Sequence, residues 1–285
     1  MISISHLKHT RKNFRLSIPE LTLTPGITIL VGKNGAGKST FLQLLATALK
    51  PQQGTIEYGG KTTDKSLPFI RKHIGFLPTG IELYDEMKVS RFLTYMCELK
   101  GVSNPQAVDQ SIVALSIENL KRNKIKTLSQ GMKQRIGIAQ ALLDCPPMLL
   151  LDEPLNYLDS HERKNVVSLL SRYAGNKLVV IATHELNEWE ELADDVIWLH
   201  EGKMLYHGSI NCWKNQLPDR IWQGKVLPEK MALLDQDRII HIKRRDGSIF
   251  LKYMHPSKPF EHFTEIPPRI EDAYFIRKKA WENGR

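Results

Sequence analysis

Gly32-Lys33-Asn34-Gly35-Ala36-Gly37-Lys38-Ser39-Thr40 fits the spacing G-x-x-x-x-G-K-[ST]. The run before it, Ile27-Thr28-Ile29-Leu30-Val31, suits a buried strand, and the run after it, Phe41-Leu42-Gln43-Leu44-Leu45-Ala46, is built of helix formers. A strand feeding a glycine-rich loop that opens a helix aims backbone N–H groups and the positive helix end at an anion. Glycines let the backbone approach that anion with no Cβ in the way. Lys38 has the reach for β- and γ-phosphates, and the Ser39 hydroxyl can ligate Mg²⁺. The stretch is therefore read as a nucleoside triphosphate site. What the triphosphate is used for has to come from the rest of the chain.

Composition narrows the field. The 285 residues are 41% hydrophobic and 25% charged, as in ordinary globular proteins. No apolar window is long enough to span a bilayer, and Met1-Ile2-Ser3-Ile4-Ser5-His6 has no secretory pattern. Three widely spaced cysteines, Cys97, Cys145 and Cys212, argue against a disulfide framework and are read as small buried hydrophobes in a reducing compartment. The net charge is +9, and residues 201–285 carry 16 basic against 11 acidic residues. Nucleic acid or an anionic membrane face fits such an excess, as does a plain solvated surface.

Ile2-Ser3-Ile4-Ser5 and Phe14-Arg15-Leu16-Ser17-Ile18 alternate as half-buried strands do, and Thr24-Pro25-Gly26 turns into the strand before the loop. Short strands are expected at Gly54–Tyr58 and Ile74–Leu77. From 81 to 126 the pattern becomes helical, with Val89, Phe92, Leu93, Met96 and Leu99 in helical spacing before Gly101, and a second helix after Asn104-Pro105. Helix is expected again from Met132 and from His161, strand at Met148–Leu151 and Leu178–Ala182, and a hairpin around Glu201-Gly202. Apolar strands alternating with helices predict an α/β fold: a mostly parallel sheet, an antiparallel N-terminal β-subdomain and an inserted helical subdomain at 81–126. One domain over 1–215 and a small α+β region over 216–285 follow. The latter has a hairpin signal at Asp246-Gly247 and a closing helix from Ile270.

Asp152 and Glu153 end the strand Met148-Leu149-Leu150-Leu151, which is expected beside the phosphate loop. Two carboxylates at a buried strand end are costly without a cation; Asp152 can hold Mg²⁺ and Glu153 can polarise water. Leu128-Ser129-Gln130-Gly131-Met132-Lys133-Gln134-Arg135 is, on physics alone, a serine-capped helix start that also suits an anion. As a string it resembles the signature segment of ABC-type ATPases, and it lies about 20 residues before the carboxylates. His184 follows a buried strand at the place of that family's switch histidine, and Asn156-Tyr157-Leu158-Asp159 resembles its D-loop.

The resemblance covers residues 1–210 and implies a division of labour. Gly32, Lys33, Asn34, Gly35, Ala36, Gly37, Lys38, Ser39 and Thr40 would bind ATP phosphates. Ser39 and Asp152 would handle Mg²⁺, Glu153 would act as general base, and His184 would contact the γ-phosphate. Ser129 and Gly131 would reach ATP held mainly by a second subunit, with Asp159 in the D-loop. Family members close as head-to-tail dimers over two ATPs, so a homodimer or a heterodimer with a similar ATPase is implied. A separate polytopic permease would place the chain at the cytoplasmic face of the membrane, its helices docking between the core and the 81–126 block. Two positions depart from the pattern. Thr79 stands where glutamine is usual, with Glu82 as a substitute, and the adenine end offers His9 or, less well placed, Phe14. Pro267-Pro268-Arg269-Ile270-Glu271-Asp272-Ala273-Tyr274-Phe275 resembles the ending of bacterial exporter ATPases, or is a helix start with acids in its first turn. The rivals are a non-transport ABC ATPase acting on ribosomes or nucleic acid, disfavoured by the single set of motifs and the lack of sustained heptads, and a regulatory subunit that binds ATP but barely turns it over.

Overall fold

The computed structural model describes residues 1–11, 14–245 and 248–283. The chain divides into two compact units, residues 1–185 with 191–207, and residues 186–190 with 208–285.

The first unit begins with β1 (Ile2–Arg11), β2 (Phe14–Leu23) and β3 (Gly26–Val31), then α1 (Lys38–Leu45), β4 (Gln53–Tyr58), β5 (Lys61–Thr62), α2 (Thr63–Lys72) and β6 (Ile74–Leu77). The helical insertion supplies α3 (Val89–Lys100) and α4 (Ala107–Ala114). After it come α5 (Gln130–Ala141), β7 (Met148–Asp152), α6 (Ser160–Ala174), β8 (Leu178–Ala182), β9 (Asp195–His200) and β10 (Lys203–Ser209). One sheet joins the ten strands in the order β5-β4-β1-β2-β10-β9-β3-β8-β7-β6. From β9 to β6 neighbouring strands are parallel, with Ile29 opposite both Val196 and Ile181, and Leu150 opposite both Val180 and Phe76. Strands β1, β2, β4 and β5 pair antiparallel, and a parallel contact of Lys203 on Ser17 ties them to the rest. The antiparallel part is thus continuous with the parallel core.

Parallel strands covered on both faces have no solvent side, so β7 and β8 read as unbroken apolar runs; all five residues of each are buried. Phe41, Leu42 and Leu45 of α1 share one core with Leu150 and Val180. β8 lies between β3 and β7 in the sheet, and β7 still ends beside the loop, its Asp152 and Glu153 sharing a cavity with Lys38 and Ser39. The β1–β4 register slips between Ser5 and Lys8, around His6 at φ 52°. The slip moves the inward set from Ile2 and Ile4 to Leu7 and His9. Helix α2 escaped the sequence reading because Pro68 and a kink at Ser66 break its pattern.

The second unit holds α7 (Ile210–Asn215), β11 (Arg220–Val226), β12 (Ile239–Arg245), β13 (Ser248–His255), β14 (Thr264–Ile266) and α8 (Ile270–Asn283). Its sheet is antiparallel in the order β12-β13-β11-β14. Strands β12 and β13 pair as a hairpin should, while the Asp246-Gly247 turn lies outside the described residues. One sheet face packs Trp222, Val226 and Leu251 with Phe263; on the other, Ile221 and Met254 meet Ile276 of α8. Asp272 is 3% exposed. It accepts from the Arg269 N–H at 2.8 Å and takes both of its oxygens to Lys252 Nζ at 3.0 and 2.8 Å. The acid in the Pro267–Phe275 stretch therefore fixes a helix start to β13. Trp213 is fully buried, donates Nε1–H to the Ile270 carbonyl at 3.2 Å and lies 4.7 Å under the Arg277 guanidinium. Trp213→Ala is expected to cost about 3–5 kcal/mol, read by denaturant melts followed on this unit.

Cys97 is buried, but Cys145 and Cys212 are exposed free thiols, so two of the three are not the buried hydrophobes expected from sequence. Among the described residues, no helix is long and apolar enough to cross a membrane.

Candidate functional site

The loop after β3 and the N-terminus of α1 form the floor of a cavity of about 590 Å³. Gly37 caps α1 at φ 105°, and an added Cβ would lie 2.5 Å from the Phe14 ring, so only glycine suits this corner. The walls include Lys33, Asn34, Gly35, Lys38, Ser39 and Thr40 from the loop and helix. Thr79 follows β6, Asp152, Glu153 and Asn156 close β7, and His184 and Glu185 follow β8. Consecutive parallel strands end on the same sheet edge, which is why residues more than a hundred positions apart converge here.

Lys38 is 7% exposed and donates to the Gly32 carbonyl at 2.7 Å. Burial holds its amine below the usual lysine range, opposed by the Glu153 and Asp152 carboxylates. Glu153 adopts φ 51°, a region few non-glycine residues enter, while its N–H donates to the Ala182 carbonyl at 2.8 Å. This conformation sends its side chain toward the end of β8: Oε2 accepts the His184 N–H at 3.3 Å, and Oε1 is 3.4 Å from His184 Nε2. Burial raises the Glu153 carboxyl above its usual range, with the His184 N–H and Lys38 pulling the other way. His184 Nε2 is 2.7 Å from Asn34 Oδ1, and the imidazole is held below its usual range by burial and by Lys38. A neutral imidazole with Nε2–H donating to Asn34 satisfies that contact. Base, histidine and loop are thus one connected cluster.

Asp152 is 3% exposed and lines the same wall as Ser39. An anionic oxygen and a hydroxyl are hard donors that suit Mg²⁺. The buried Glu153 Oε1, which has no hydrogen-bond partner among the described residues, adds a place for a water or cation.

Ser129, Gly131 and Asp159 are not among the cavity's lining residues. Ser129 Oγ caps α5 by accepting from Met132 N–H at 3.3 Å. Asp159 caps α6 through His161 and Glu162 N–H groups, and Glu162 returns a carboxylate to Asp159 N–H. An added Cβ on Gly131 would sit 2.7 Å from the Tyr157 carbonyl oxygen, so the start of α5 touches the loop that carries Asp159. Sequence reasoning gave no individual role to Gln134, whose Nε2 donates to the Glu153 and Pro154 carbonyls at 3.1 and 3.2 Å. Its place inside the signature string was the available signal.

At the other end, His9 is buried on β1 and does not line the cavity; Arg11 and Phe14 do. The β1 bulge is the physical reason, since it turns His9 inward. Glu82, offered as a substitute at Thr79, lines a separate groove of about 940 Å³ between the core and the helical insertion, alongside Phe76, Ile81, Tyr84, Met96 and Leu99.

A doubly covered parallel sheet with this loop, carboxylate pair and histidine on one edge defines a phosphate-loop nucleotide-binding protein. The chain belongs to the family of ABC transporter ATP-binding proteins, an ATPase family. The family model for ABC transporters matches residues 16–156. The chain is 35% identical over 211 residues to the ABC transporter ATP-binding protein YxlF of Bacillus subtilis, covering 73% of this chain and 70% of that protein. It is 34% identical over 204 residues to the molybdenum import ATP-binding protein ModC of Photobacterium profundum, spanning 69% of this chain and 56% of the relative. A mouse phospholipid-transporting ATPase, ABCA3, is 33% identical over 215 residues that make up only 13% of its length. Among solved structures, cbiO1 of Clostridium perfringens, described as part of the ABC transporter complex cbiONQ, superposes with TM-score 0.62 at 26% identity, covering 74% of this chain and 88% of that one. An ATP-binding subunit of an ABC transporter superposes at 0.70 with 22% identity over 76% and 92% of the two chains, a likeness of fold.

Proposed function

We propose that the chain is the ATP-hydrolysing subunit of a bacterial ABC exporter, working as a dimer that closes over ATP and drives a separate membrane permease. The observation that carries the ATPase role is the cluster of Glu153, His184, Asn34 and Lys38 at the phosphate loop. Lys38 and the loop N–H groups would hold the phosphates. Glu153, with a carboxyl already raised by burial, would take a proton from the attacking water, and His184 would keep its Nε2 toward the γ-phosphate. Mg²⁺, held by Ser39 and Asp152, would neutralise developing phosphate charge.

The second subunit is supported by the position of Ser129, which caps α5, and of Gly131 in its first turn, neither of which lines this chain's own cavity. The apolar groove beside the helical insertion, with Tyr84 and Leu99 50% and 60% exposed, is the place for a permease segment. The exporter direction rests on the Pro267–Phe275 resemblance, and the named relatives include an importer. The test is affinity purification from detergent-solubilised membranes, together with ATPase rate against protein concentration. A polytopic partner and a rate rising with the square of concentration support the reading. Recovery of ribosomes or nucleic acid, or a strictly first-order rate, would sink it.

At the adenine end we place Phe14 rather than His9. Base–aromatic stacking is worth about 1–3 kcal/mol, so Phe14→Ala should weaken ATP binding about tenfold, and His9→Ala by less than about twofold. Calorimetric titration of both variants checks it.

A further inference from the structure

The second unit carries a cavity of its own, of about 300 Å³, lined by Gln223, His241, Lys243, Phe250, Leu251 and Lys252. Apart from Leu251, whose side chain packs on the opposite face, these residues lie on the sheet face that α8 covers only in part. The apolar contact of α8, Ile276 on Ile221 and Met254, covers one end of that face, and the neighbouring rungs are left open. Two rungs of the ladder build the open part: Gln223, Lys252 and His241 in one, Lys225, Phe250 and Lys243 in the next.

A register shift creates this composition. Ile239 stands opposite Tyr253, but His241, not Ile240, stands opposite Lys252. Without the extra residue, Ile240 and Ile242 would face Lys252 and Phe250. The bulge instead brings His241 and Lys243 onto the open face and leaves Ile242 opposite Leu251. Asp272, 3% exposed, grips Lys252 with both oxygens, which fixes that side chain and cancels its charge. Among the described residues, no acidic side chain lines the cavity and neither His241 nor Lys243 has an acidic partner. The polar rim therefore offers donors and a net positive charge centred on Lys243, beside the half-buried Phe250 ring.

We infer that this cavity binds a small amphipathic organic anion: a carboxylate, sulfonate or phosphate ester at Lys243 and His241, with a flat apolar body against Phe250. The volume is at the small-ligand end of known pockets. An apolar floor ringed by few polar groups of one sign selects an anion with a hydrophobic part over free phosphate or a neutral ring. The site is independent of the nucleotide cavity and of the transport direction.

The test is fluorescence titration of the full chain with 8-anilinonaphthalene-1-sulfonate, with the nucleotide site saturated by ADP. Saturable binding of one equivalent is expected. The double variant H241Q/K243Q, two exposed positions, should weaken it about tenfold or more while leaving thermal stability and ATPase activity unchanged, and Lys243→Arg should retain it. Binding that is indifferent to the double variant, or an uncharged anilinonaphthalene binding as tightly, would overturn the proposal. Sedimentation with phosphatidylglycerol vesicles is the second arm. If the double variant loses vesicle binding but keeps the dye, the basic face contacts a membrane and the small-ligand site is wrong. If neither changes, the charges only guard the edge strand β12 against pairing with other chains, and the proposal falls.

Discussion

Glu153→Gln is expected to slow ATP hydrolysis by about 10²–10⁴-fold, the range for loss of a general base, while ATP still binds. The amide keeps the shape of the side chain and can still accept the His184 N–H through its oxygen. What disappears is proton acceptance from water. If the two-subunit reading holds, the variant accumulates as an ATP-bound dimer on gel filtration, whereas a monomer with normal ATP affinity would contradict it. A second effect has the opposite sign. Burial raises the wild-type carboxyl, so its ionised form is disfavoured in the folded protein. Stability tied to this group is present at low pH and is lost as pH rises through the raised value. Glu153→Gln should therefore melt about a few degrees higher than wild type at neutral pH, and the gain should vanish toward the acidic side of the Glu153 titration. Melting curves over pH in nucleotide-free buffer read this directly.

Gly131→Ala should separate binding from turnover. Its Cβ would meet the backbone oxygen of Tyr157 at 2.7 Å, and a backbone carbonyl cannot swing away as a side-chain end can. Overpacking of this kind costs about 1–3 kcal/mol, taken up here by pushing the loop bearing Asp159 away from α5. ATP affinity of the single chain should stay within about twofold, since Gly131 does not line its cavity. Hydrolysis should fall about 10–100-fold, matching that energy. Equal losses in affinity and rate would mean that the residue serves the chain's own cavity instead.

Much of this site was legible because its chemistry is local in sequence. Gly32 to Thr40 lies between a buried strand and a helix, and the apolar run into Asp152 can only be a covered strand. What resisted was set by tertiary geometry. Nothing near Leu178 says that β8 inserts between β3 and β7 and so brings His184 against Glu153. His9 was offered as the adenine-end residue that the family resemblance calls for, and the bulge that turns it inward shows only in the register slip and the positive φ at His6. Gln134 looked like one polar residue in a string, and its role appears only when the carbonyls of Glu153 and Pro154 are seen above it. In the second unit, the slip at Ile240 decides which side of β12 is polar, and a one-residue slip cannot be read from composition.

The Gln134 amide has a consequence for timing. Helix α5 carries Ser129 at its tip and Gln134 about one and a half turns further on, gripping the turn that holds Glu153. In a paired arrangement, the tip would report on the nucleotide of the neighbouring subunit while the same rigid rod steadies this subunit's own base. Two events on opposite sides of the interface would then share one lever, and the two turnovers would not be statistically independent.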